Sequence, residues 1–291
     1  MTTTDHGDIT RVGVVGCGLM GSGIAEVCAV AGLEVTVVVS RPAAREAGRE
    51  RIVASLGRSV AKGRITDAAR GEAMERISFT EDLKDLADRH LVIESIREDE
   101  PRKVELFAAL DRIVEDPDAI LASNTSSIPI MRLGRATDRA DHVVGTHFFS
   151  PVPANPLVEL ISSLATDPAV SDRAADFSAR VLGKKVIRAS DRGGFVVNAL
   201  FIPFLLSAVR MVESGFATPE VIDKGMELGC AHPIGPLKLT DLLGLDTVAA
   251  VAEALYEEFL EPHYAPPPLL LRMVEAGLHG KKNGRGFYRY A

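Results

Sequence analysis

The most informative stretch of this 291-residue chain is G-C-G-L-M-G at residues 16–21, which matches the pattern G-x-G-x-x-G. The β-branched run at residues 11–15 precedes it and predicts a strand, and the apolar residues 24–31 follow it and predict a helix. A glycine loop between a strand and a helix is the context that the pattern requires for binding a dinucleotide. The stretch therefore predicts a strand–loop–helix unit that holds such a cofactor.

Each glycine of this loop has its own physical reason. Gly16 allows a tight turn, Gly18 lets a pyrophosphate approach the backbone, and Gly21 lets the helix pack on the strand. Backbone amides at the start of the helix then bind the phosphates. Because Leu19 and Met20 lie between these glycines, we expect all five residues to line the cofactor site.

The end of the second strand bears on which dinucleotide binds. Residues 35–39 are β-formers without alternation, which is typical of a parallel strand buried on both faces. An NAD site usually has Asp or Glu at this strand end to bind the ribose 2′-hydroxyl. Here Val39 is followed by Ser40, which can donate to a 2′-phosphate, and Arg41, which can pair with it. We therefore expect NADP to be favoured over NAD; in the alternative, Arg41 is only solvated and the site takes NAD.

The order of strands and helices predicts the architecture. Short strand patterns alternate with helical segments as far as residue 190, at residues 11–15, 35–39, 91–96, 119–122 and 142–146. Such alternation predicts an α/β fold, with a Rossmann-type, doubly wound, mostly parallel sheet domain over residues 1–190. Helical patterns without a convincing strand follow, which predicts an all-α C-terminal domain over residues 191–291.

Composition limits the possible partners. Apolar residues make up 46% of the chain and charged residues 25%, as in ordinary globular proteins. The net charge of −7 argues against nucleic acid or an anionic membrane as a partner. Three cysteines, Cys17, Cys28 and Cys230, form an odd set without the spacing of a metal site. We therefore expect no metal and a reducing compartment, which favours the cytoplasm.

Two segments bear on targeting. Met1–Asp8 is polar and acidic and lacks the basic start and apolar core of a signal peptide. Residues 195–212 are strongly apolar, but Asn198, Pro203 and Arg210 interrupt them and no basic or aromatic flanks follow. This segment predicts a helix buried in a core or a subunit interface, and not a membrane span.

A second group of polar residues predicts chemistry at the same sheet edge. A-S-N-T-S-S-I at residues 122–128 follows an apolar strand, and His147 ends the next one. Ligands of open parallel sheets bind beyond the carboxyl ends of the strands, so both should face the cofactor. Glu159 follows twelve residues after His147, and a histidine with a carboxylate can act as a general base. A purely structural histidine remains the alternative from these residues alone.

Several longer motifs carry a resemblance to a known family. They are G-C-G-L-M-G-S-G-I-A at residues 16–25, A-S-N-T-S-S-I at 122–128, T-H-F-F-S-P-V at 146–152, L-V-E-L at 157–160, D-R-G-G-F-V-V-N at 191–198, H-P-I-G-P-L-K-L-T-D-L-L-G-L-D at 232–246 and G-K-K-N-G-R-G-F-Y at 280–288. With these motifs the chain resembles the L-3-hydroxyacyl-CoA dehydrogenase family in its short, single-function 3-hydroxybutyryl-CoA form, from Arg11 to Tyr290.

The resemblance implies roles for four catalytic residues. His147 would remove the proton of the 3-hydroxyl group, and Glu159 would orient its ring. Ser126 would hydrogen-bond the reacting oxygen and contact the cofactor as well, and Asn198 would hold the substrate near the histidine.

The resemblance also implies binding residues. Glu98, Lys103 and Lys282 match cofactor-side positions of the family, whereas Ser55 and Lys62 match its coenzyme A contacts. A basic helix at residues 42–62 can hold the phosphates of coenzyme A on an otherwise acidic protein.

Two positions depart from the family pattern. Val39 stands where the family usually has an acidic residue, which agrees with the NADP expectation. Ser150 stands where the family usually has Asn in H-F-F-N-P. Because serine offers a shorter hydrogen-bonding arm, we expect its contact near the nicotinamide or substrate to be lost or made through water.

The resemblance implies reversible hydride transfer between (S)-3-hydroxybutyryl-CoA and acetoacetyl-CoA, and a homodimer formed through the C-terminal helical domain. Two alternatives remain at this point. One is a β-hydroxyacid dehydrogenase of the 6-phosphogluconate type, which relies on a lysine in its second domain; here no lysine follows Gly194 before Lys224. The other is a non-catalytic dinucleotide-binding relative, against which the presence of the complete set argues, namely Ser126, His147, Glu159 and Asn198.

Overall fold

The computed structural model describes residues 9–290, and Met1–Asp8, where the sequence predicts no signal peptide, lie outside the described residues. One sheet of eight strands organises the first part of the chain, in the order β3-β2-β1-β4-β5-β6-β7-β8. The strands are β1 (Arg11–Val15), β2 (Glu34–Val38), β3 (Ile77–Thr80), β4 (Leu91–Glu94), β5 (Ile120–Ser123), β6 (Val143–Phe148), β7 (Leu157–Ser162) and β8 (Lys185–Ser190).

Neighbouring strands of the sheet run parallel except β6 and β7, which pair antiparallel. The central strands are buried along nearly their whole length, which explains why their sequences are apolar without alternation. With β1 between β2 and β4, the chain reverses its winding direction at β1. Ligands bind beyond the strand ends at such a point, so the topology places a site beside the glycine loop.

The chain divides into two compact units between Asp191 and Arg192. The described part of the first unit contains the sheet and six α-helices, which are α1 (Leu19–Val30), α2 (Pro42–Ala61), α3 (Asp67–Glu75), α4 (Glu100–Ile113), α5 (Ile130–Gly134) and α6 (Pro168–Asp176).

The described part of the second unit is helical, with two isolated bridges among residues 280–289. Its helices are α7 (Val197–Glu213), α8 (Pro219–Gly229), α9 (Pro236–Leu243), α10 (Leu245–Phe259) and α11 (Pro268–Glu275). The centre of α7 packs against α10 in a separate apolar core that includes Leu205, Val209 and Ala252. None of the helices between residues 9 and 290 combines the length and apolar character needed to cross a bilayer.

The predicted fold class is confirmed, and some element boundaries differ. The first helix begins at Leu19, directly after the glycine loop, and not near residue 24. Gly21 and Gly23 are weak helix formers, but their small size permits close packing there. Strands β3, β7 and β8 have no counterpart among the predicted strands. Strand β8 is only partly buried, so it lacks the strong apolar signal of the central strands.

Candidate active site

The glycine loop has the geometry that a dinucleotide requires. Gly16 has φ +97°, and a Cβ there would lie 2.5 Å from the carbonyl oxygen of Ser95. A Cβ on Gly21 would lie 2.0 Å from the carbonyl oxygen of Gly16. At Gly18, the N-cap of α1, a Cβ would meet nothing within 4 Å. Two glycines are therefore needed for close packing, whereas the space beside Gly18 is open at the helix N-terminus, where folds of this type bind a pyrophosphate.

The remaining loop residues split between core and surface. Leu19 is 68% exposed, and Met20 packs partly against the core. Cys17 is buried against Gly48 of α2, and burial raises the pKa of its thiol to about 11 despite the nearby charge of Arg51. The guanidinium of Arg51 also donates to the carbonyl of Cys17 at 3.1 Å, so α2 is tied to the loop.

Beside the glycine loop, the end of β2 presents exposed polar groups. Val39 is buried, whereas Ser40 and Arg41 are exposed, and Arg41 is the N-cap of α2. One helical turn later, Arg45 lies 3.6 Å from Glu81, which follows β3. Arg41 therefore lies just after the carboxyl end of β2, where a ribose 2′-substituent would lie in a fold of this type.

The structure brings His147 and Glu159 together across two antiparallel strands. They are directly opposite in the pairing of β6 with β7, and Nδ1 of His147 lies 2.7 Å from Oε2 of Glu159. Glu159 is 0% exposed and His147 5%. An ionised carboxylate can only accept, so the tautomer that donates from Nδ1 to Glu159 leaves the lone pair of the ring on Nε2. Phe149 packs on the ring with 4.5 Å between centroids.

Ser126 completes the arrangement on the other side of the ring. Its Oγ lies 3.0 Å from Nε2 of His147. Ser126 belongs to the loop at residues 124–128 after β5, and Asn124 in that loop accepts a hydrogen bond from the backbone amide of Phe148 at 2.9 Å. The serine loop and the histidine strand are therefore joined next to Nε2 of His147.

Glu98 and Lys103 belong to the same network. Glu98 accepts hydrogen bonds from the hydroxyl of Thr125, from the Ser126 amide at 3.1 Å and from the Ser127 hydroxyl at 3.1 Å. Lys103 is buried, with its Nζ 2.7 Å from Glu98. Although burial opposes ionisation, the charge and hydrogen bond of Lys103 hold the pKa of Glu98 below its ordinary value. Ionised Glu98 therefore accepts from the backbone of the loop that carries Ser126.

The segment after β6 is held by a lysine that the sequence did not single out. Ser150 is exposed in this segment. Lys184 is buried, and its Nζ donates to the carbonyls of Val152 at 2.6 Å and Asn155 at 2.8 Å. A Cβ on Gly23 of α1 would lie 2.8 Å from Cβ of Val152. Lys184 therefore fixes a connection that touches both the helix after the glycine loop and the strand of His147.

The expected coenzyme A residues lie on α2. Ser55 is half-buried near Glu26 of α1, and burial raises the pKa of Glu26. Lys62 is exposed as the C-cap of α2. The two residues are therefore on one helix, with only Lys62 fully open to solvent.

Two expected site residues belong to the second unit. Asn198 lies half-buried in the first turn of α7. The Nζ of Lys282 lies 2.7 Å and 2.9 Å from the two carboxylate oxygens of Asp246. Although burial opposes ionisation of Asp246, the hydrogen bond and charge of Lys282 hold the pKa of Asp246 below its ordinary value.

Sequence reasoning missed Glu94 and Lys184 as parts of this region. Glu94 is the last residue of β4, is fully buried, and lies 3.1 Å from Nζ of Lys103. A carboxylate closing the apolar run L-V-I-E was the available signal, because charged residues are rarely buried without a partner. Lys184 gave no comparable signal, since its partners are backbone carbonyls distant in sequence.

Comparison with known proteins covers both units. Residues 11–192 match the family described as 3-hydroxyacyl-CoA dehydrogenase, NAD binding domain, and residues 194–290 match 3-hydroxyacyl-CoA dehydrogenase, C-terminal domain. The chain is 61% identical over 282 residues to a 3-hydroxybutyryl-CoA dehydrogenase of Mycobacterium tuberculosis, covering 97% of this chain and 99% of that one.

Solved structures agree with these matches. The crystal structure of M. tuberculosis FadB2 superposes with a TM-score of 0.96 at 61% identity, covering 97% of this chain and 99% of that chain. The crystal structure of (S)-3-hydroxybutyryl-CoA dehydrogenase from Ralstonia eutropha superposes with a TM-score of 0.92 at 44% identity, covering 98% and 100%.

Proposed function

Because this chain belongs to the 3-hydroxyacyl-CoA dehydrogenase family, we propose that it interconverts (S)-3-hydroxybutyryl-CoA and acetoacetyl-CoA with NADP preferred over NAD. Family membership makes it a nicotinamide-dependent oxidoreductase of 3-hydroxyacyl-CoA. The short-chain substrate is supported by the names of the relatives, which are 3-hydroxybutyryl-CoA dehydrogenases. Matches to both domains argue against the 6-phosphogluconate-type alternative.

The observation that carries the proposal is the chain of contacts from Glu159 through His147 to Ser126. Nε2 of His147 has a lone pair that can take the proton of a 3-hydroxyl group, and Glu159 stabilises the imidazolium that results. The hydroxyl of Ser126 donates a hydrogen bond to the same substrate oxygen. Preorganised donors of this kind contribute most where negative charge develops, as it does on the oxygen at C3.

The reaction balances in both directions. In oxidation, the hydroxyl proton goes to Nε2 of His147 and the C3 hydrogen leaves with its electron pair. The bound nicotinamide supplies the chemistry of accepting or returning that hydride. In reduction, protonated His147 gives its proton to the oxygen formed at C3. Asn198 holds the substrate, and Ser55 and Lys62 hold its coenzyme A portion.

The cofactor preference rests on charge at the end of β2. Besides the residues at the end of β2, the cofactor side that we propose includes Glu98, Lys103, Ser150 and Lys282. The buried Val39 provides no carboxylate to repel a 2′-phosphate, and the exposed Arg41 can pair with one. An NADPH preference is typical of a reductive, biosynthetic role.

Two further parts of the proposal concern the assembly and its location. The exposed apolar side chains of the second unit support a homodimer formed through that unit. The odd number of cysteines supports a reducing compartment and therefore the cytoplasm.

The test is reduction of acetoacetyl-CoA with NADPH and NADH, measured as kcat/KM. We expect NADPH to be favoured by at least tenfold, about 1.4 kcal/mol. Arg41→Ala should remove most of that preference, whereas Arg49→Ala, an exposed change on the same helix, should keep it. His147→Ala should lower kcat by about a hundredfold or more with either cofactor. An NADH preference contradicts the cofactor assignment, and turnover with neither cofactor contradicts the substrate.

A further inference from the structure

Glu94 is fully buried beside the proposed catalytic residues and takes no part in the steps above. Its Oε1 accepts from the backbone amide of Ile96 at 2.7 Å, and its Oε2 accepts from the hydroxyl of Ser123 at 2.5 Å. Oε2 also lies 3.1 Å from Nζ of Lys103. Burial is costly for a carboxylate, and it raises the pKa of Glu94 despite these partners. Three donors converging on one buried side chain fix the positions of those donors, because moving any of them leaves a buried polar group unsatisfied.

Two routes lead from Glu94 to the loop at residues 124–128. The shorter runs through Ser123, whose Oγ accepts from the backbone amide of Thr125 at 3.2 Å. The longer runs through Lys103, whose Nζ is 2.7 Å from Glu98, which in turn accepts from the Ser126 amide at 3.1 Å. Both routes end on the same short loop.

The side chain at the centre of that loop lies next to the general base. Ser126 Oγ is 3.0 Å from Nε2 of His147. Because Ser126 is partly exposed and follows a strand end, its own strand does not fix its hydroxyl position. The buried group formed by Glu94, Lys103 and Glu98 provides the support that the strand lacks.

We propose that Glu94 is a positioning residue that holds Ser126 in register with His147, acting through Ser123 and through the Lys103–Glu98 ion pair. The inference rests on the proposed function, since it requires Ser126 and His147 to share the reacting oxygen. A small displacement of a group at a reacting centre lowers the rate sharply, although binding of the rest of the substrate is unaffected. Glu94 therefore affects kcat and leaves the KM for acetoacetyl-CoA nearly unchanged.

A double-mutant cycle on the full chain tests this role. Glu94→Gln, Ser126→Ala and the double variant are compared in reduction of acetoacetyl-CoA, with Glu105→Gln on the exposed face of α4 as the matched control. We expect Glu94→Gln to lower kcat by about tenfold with KM within about twofold of the wild type. In the Ser126→Ala background the same change should lower kcat by less than about twofold, because the group that Glu94 positions is already absent.

The possible outcomes distinguish the inference from the proposed function. Suppose that the wild type turns over acetoacetyl-CoA and that the fold-losses of kcat caused by Glu94→Gln and Ser126→Ala multiply in the double variant. Glu94 then acts on the structure in general, and the inference is wrong. The same holds if folded Glu94→Gln keeps its kcat within about twofold of the wild type. If the wild type itself is inactive, the proposed function fails first. Should Glu94→Gln not fold, Ser123→Ala takes its place in the cycle and is read by the same criteria.

Discussion

At the scale of single residues, strand register explains how His147 acquires its partner. Side chains directly opposite each other on antiparallel strands have neighbouring Cβ atoms, so the pairing of β6 with β7 places Glu159 beside His147. Both residues are buried, which strengthens their interaction and excludes water from the Nδ1 side of the ring. The register thus fixes the orientation of the ring and leaves Nε2 as the nitrogen that faces Ser126.

Glu159→Gln tests the charge of this partner while keeping its shape. The amide oxygen can still accept from Nδ1, but it cannot stabilise an imidazolium as a carboxylate does. We expect kcat for oxidation of (S)-3-hydroxybutyryl-CoA to fall by about a hundredfold, equivalent to about 2.7 kcal/mol. Glu105→Gln serves again as the exposed control. A kcat within about threefold of the wild type would show that the charge of Glu159 has no catalytic role.

At the scale of elements, one buried ammonium group holds the connection between β6 and β7 through hydrogen bonds to its backbone carbonyls. Lys184, directly before β8, donates to carbonyls at Val152 and Asn155, and Val152 packs tightly against Gly23 of α1. The backbone amide of Lys185 donates to the carbonyl of Pro156 at 2.7 Å. The start of β8 therefore secures the segment that joins the two strands of the His147–Glu159 pair.

Lys184→Met should destabilise the first unit. The substitution leaves two carbonyls without their donor, and each unsatisfied buried polar group costs about 1–3 kcal/mol. Part of that cost is offset because the buried charge is also removed, so we expect a net loss of about 1–3 kcal/mol in the free energy of unfolding. Lys185→Met is the matched control, because its side chain is exposed and its backbone hydrogen bond is kept. Urea denaturation measures both, and equal midpoints would contradict the role of Lys184.

The same variant has a pH signature. Burial lowers the pKa of Lys184 below its ordinary value of 10.5. The folded chain therefore binds this proton more weakly than the unfolded chain, so the wild type gains stability as pH rises from the lowered pKa towards 10.5. Lys184→Met lacks this gain, and the difference between the two proteins should widen over that range. An unchanged difference would place Lys184 in a water-like environment.

At the scale of the whole molecule, the fold could be predicted because its signals are local in the sequence. The site could be predicted only in part, because it depends on tertiary contacts. The glycine loop and the apolar run of β2 each lie within a few residues of sequence, so their pattern reveals them directly. Glu94 is different, because its partners Lys103 and Ser123 come from other elements and no periodicity links them. Likewise, the partner of His147 depends on the antiparallel pairing of β7, a strand that the sequence pattern alone did not reveal.

The second unit presents apolar surface that its own core does not use. Helix α7 buries Leu205 and Val209, but Leu200 on the same helix is 74% exposed. Phe216, in the connection to α8, is 77% exposed, and Leu228 at the end of α8 is 75% exposed. Large apolar side chains left in water at several positions of one unit support the homodimer proposed above, in which a second copy of the chain would cover them.

Association of two copies should therefore depend on these side chains. We expect the wild type to sediment as a dimer at micromolar concentration, because each large apolar side chain that is buried contributes about 1.5–3 kcal/mol. Replacing Leu200 and Phe216 together by Asp should raise the dissociation constant by about tenfold or more, since the carboxylates would have to be desolvated at the interface. Leu164→Asp is the control, because that residue is fully exposed in the first unit. A monomeric wild type, or a doubly substituted variant with unchanged self-association, would mean that this surface has another use.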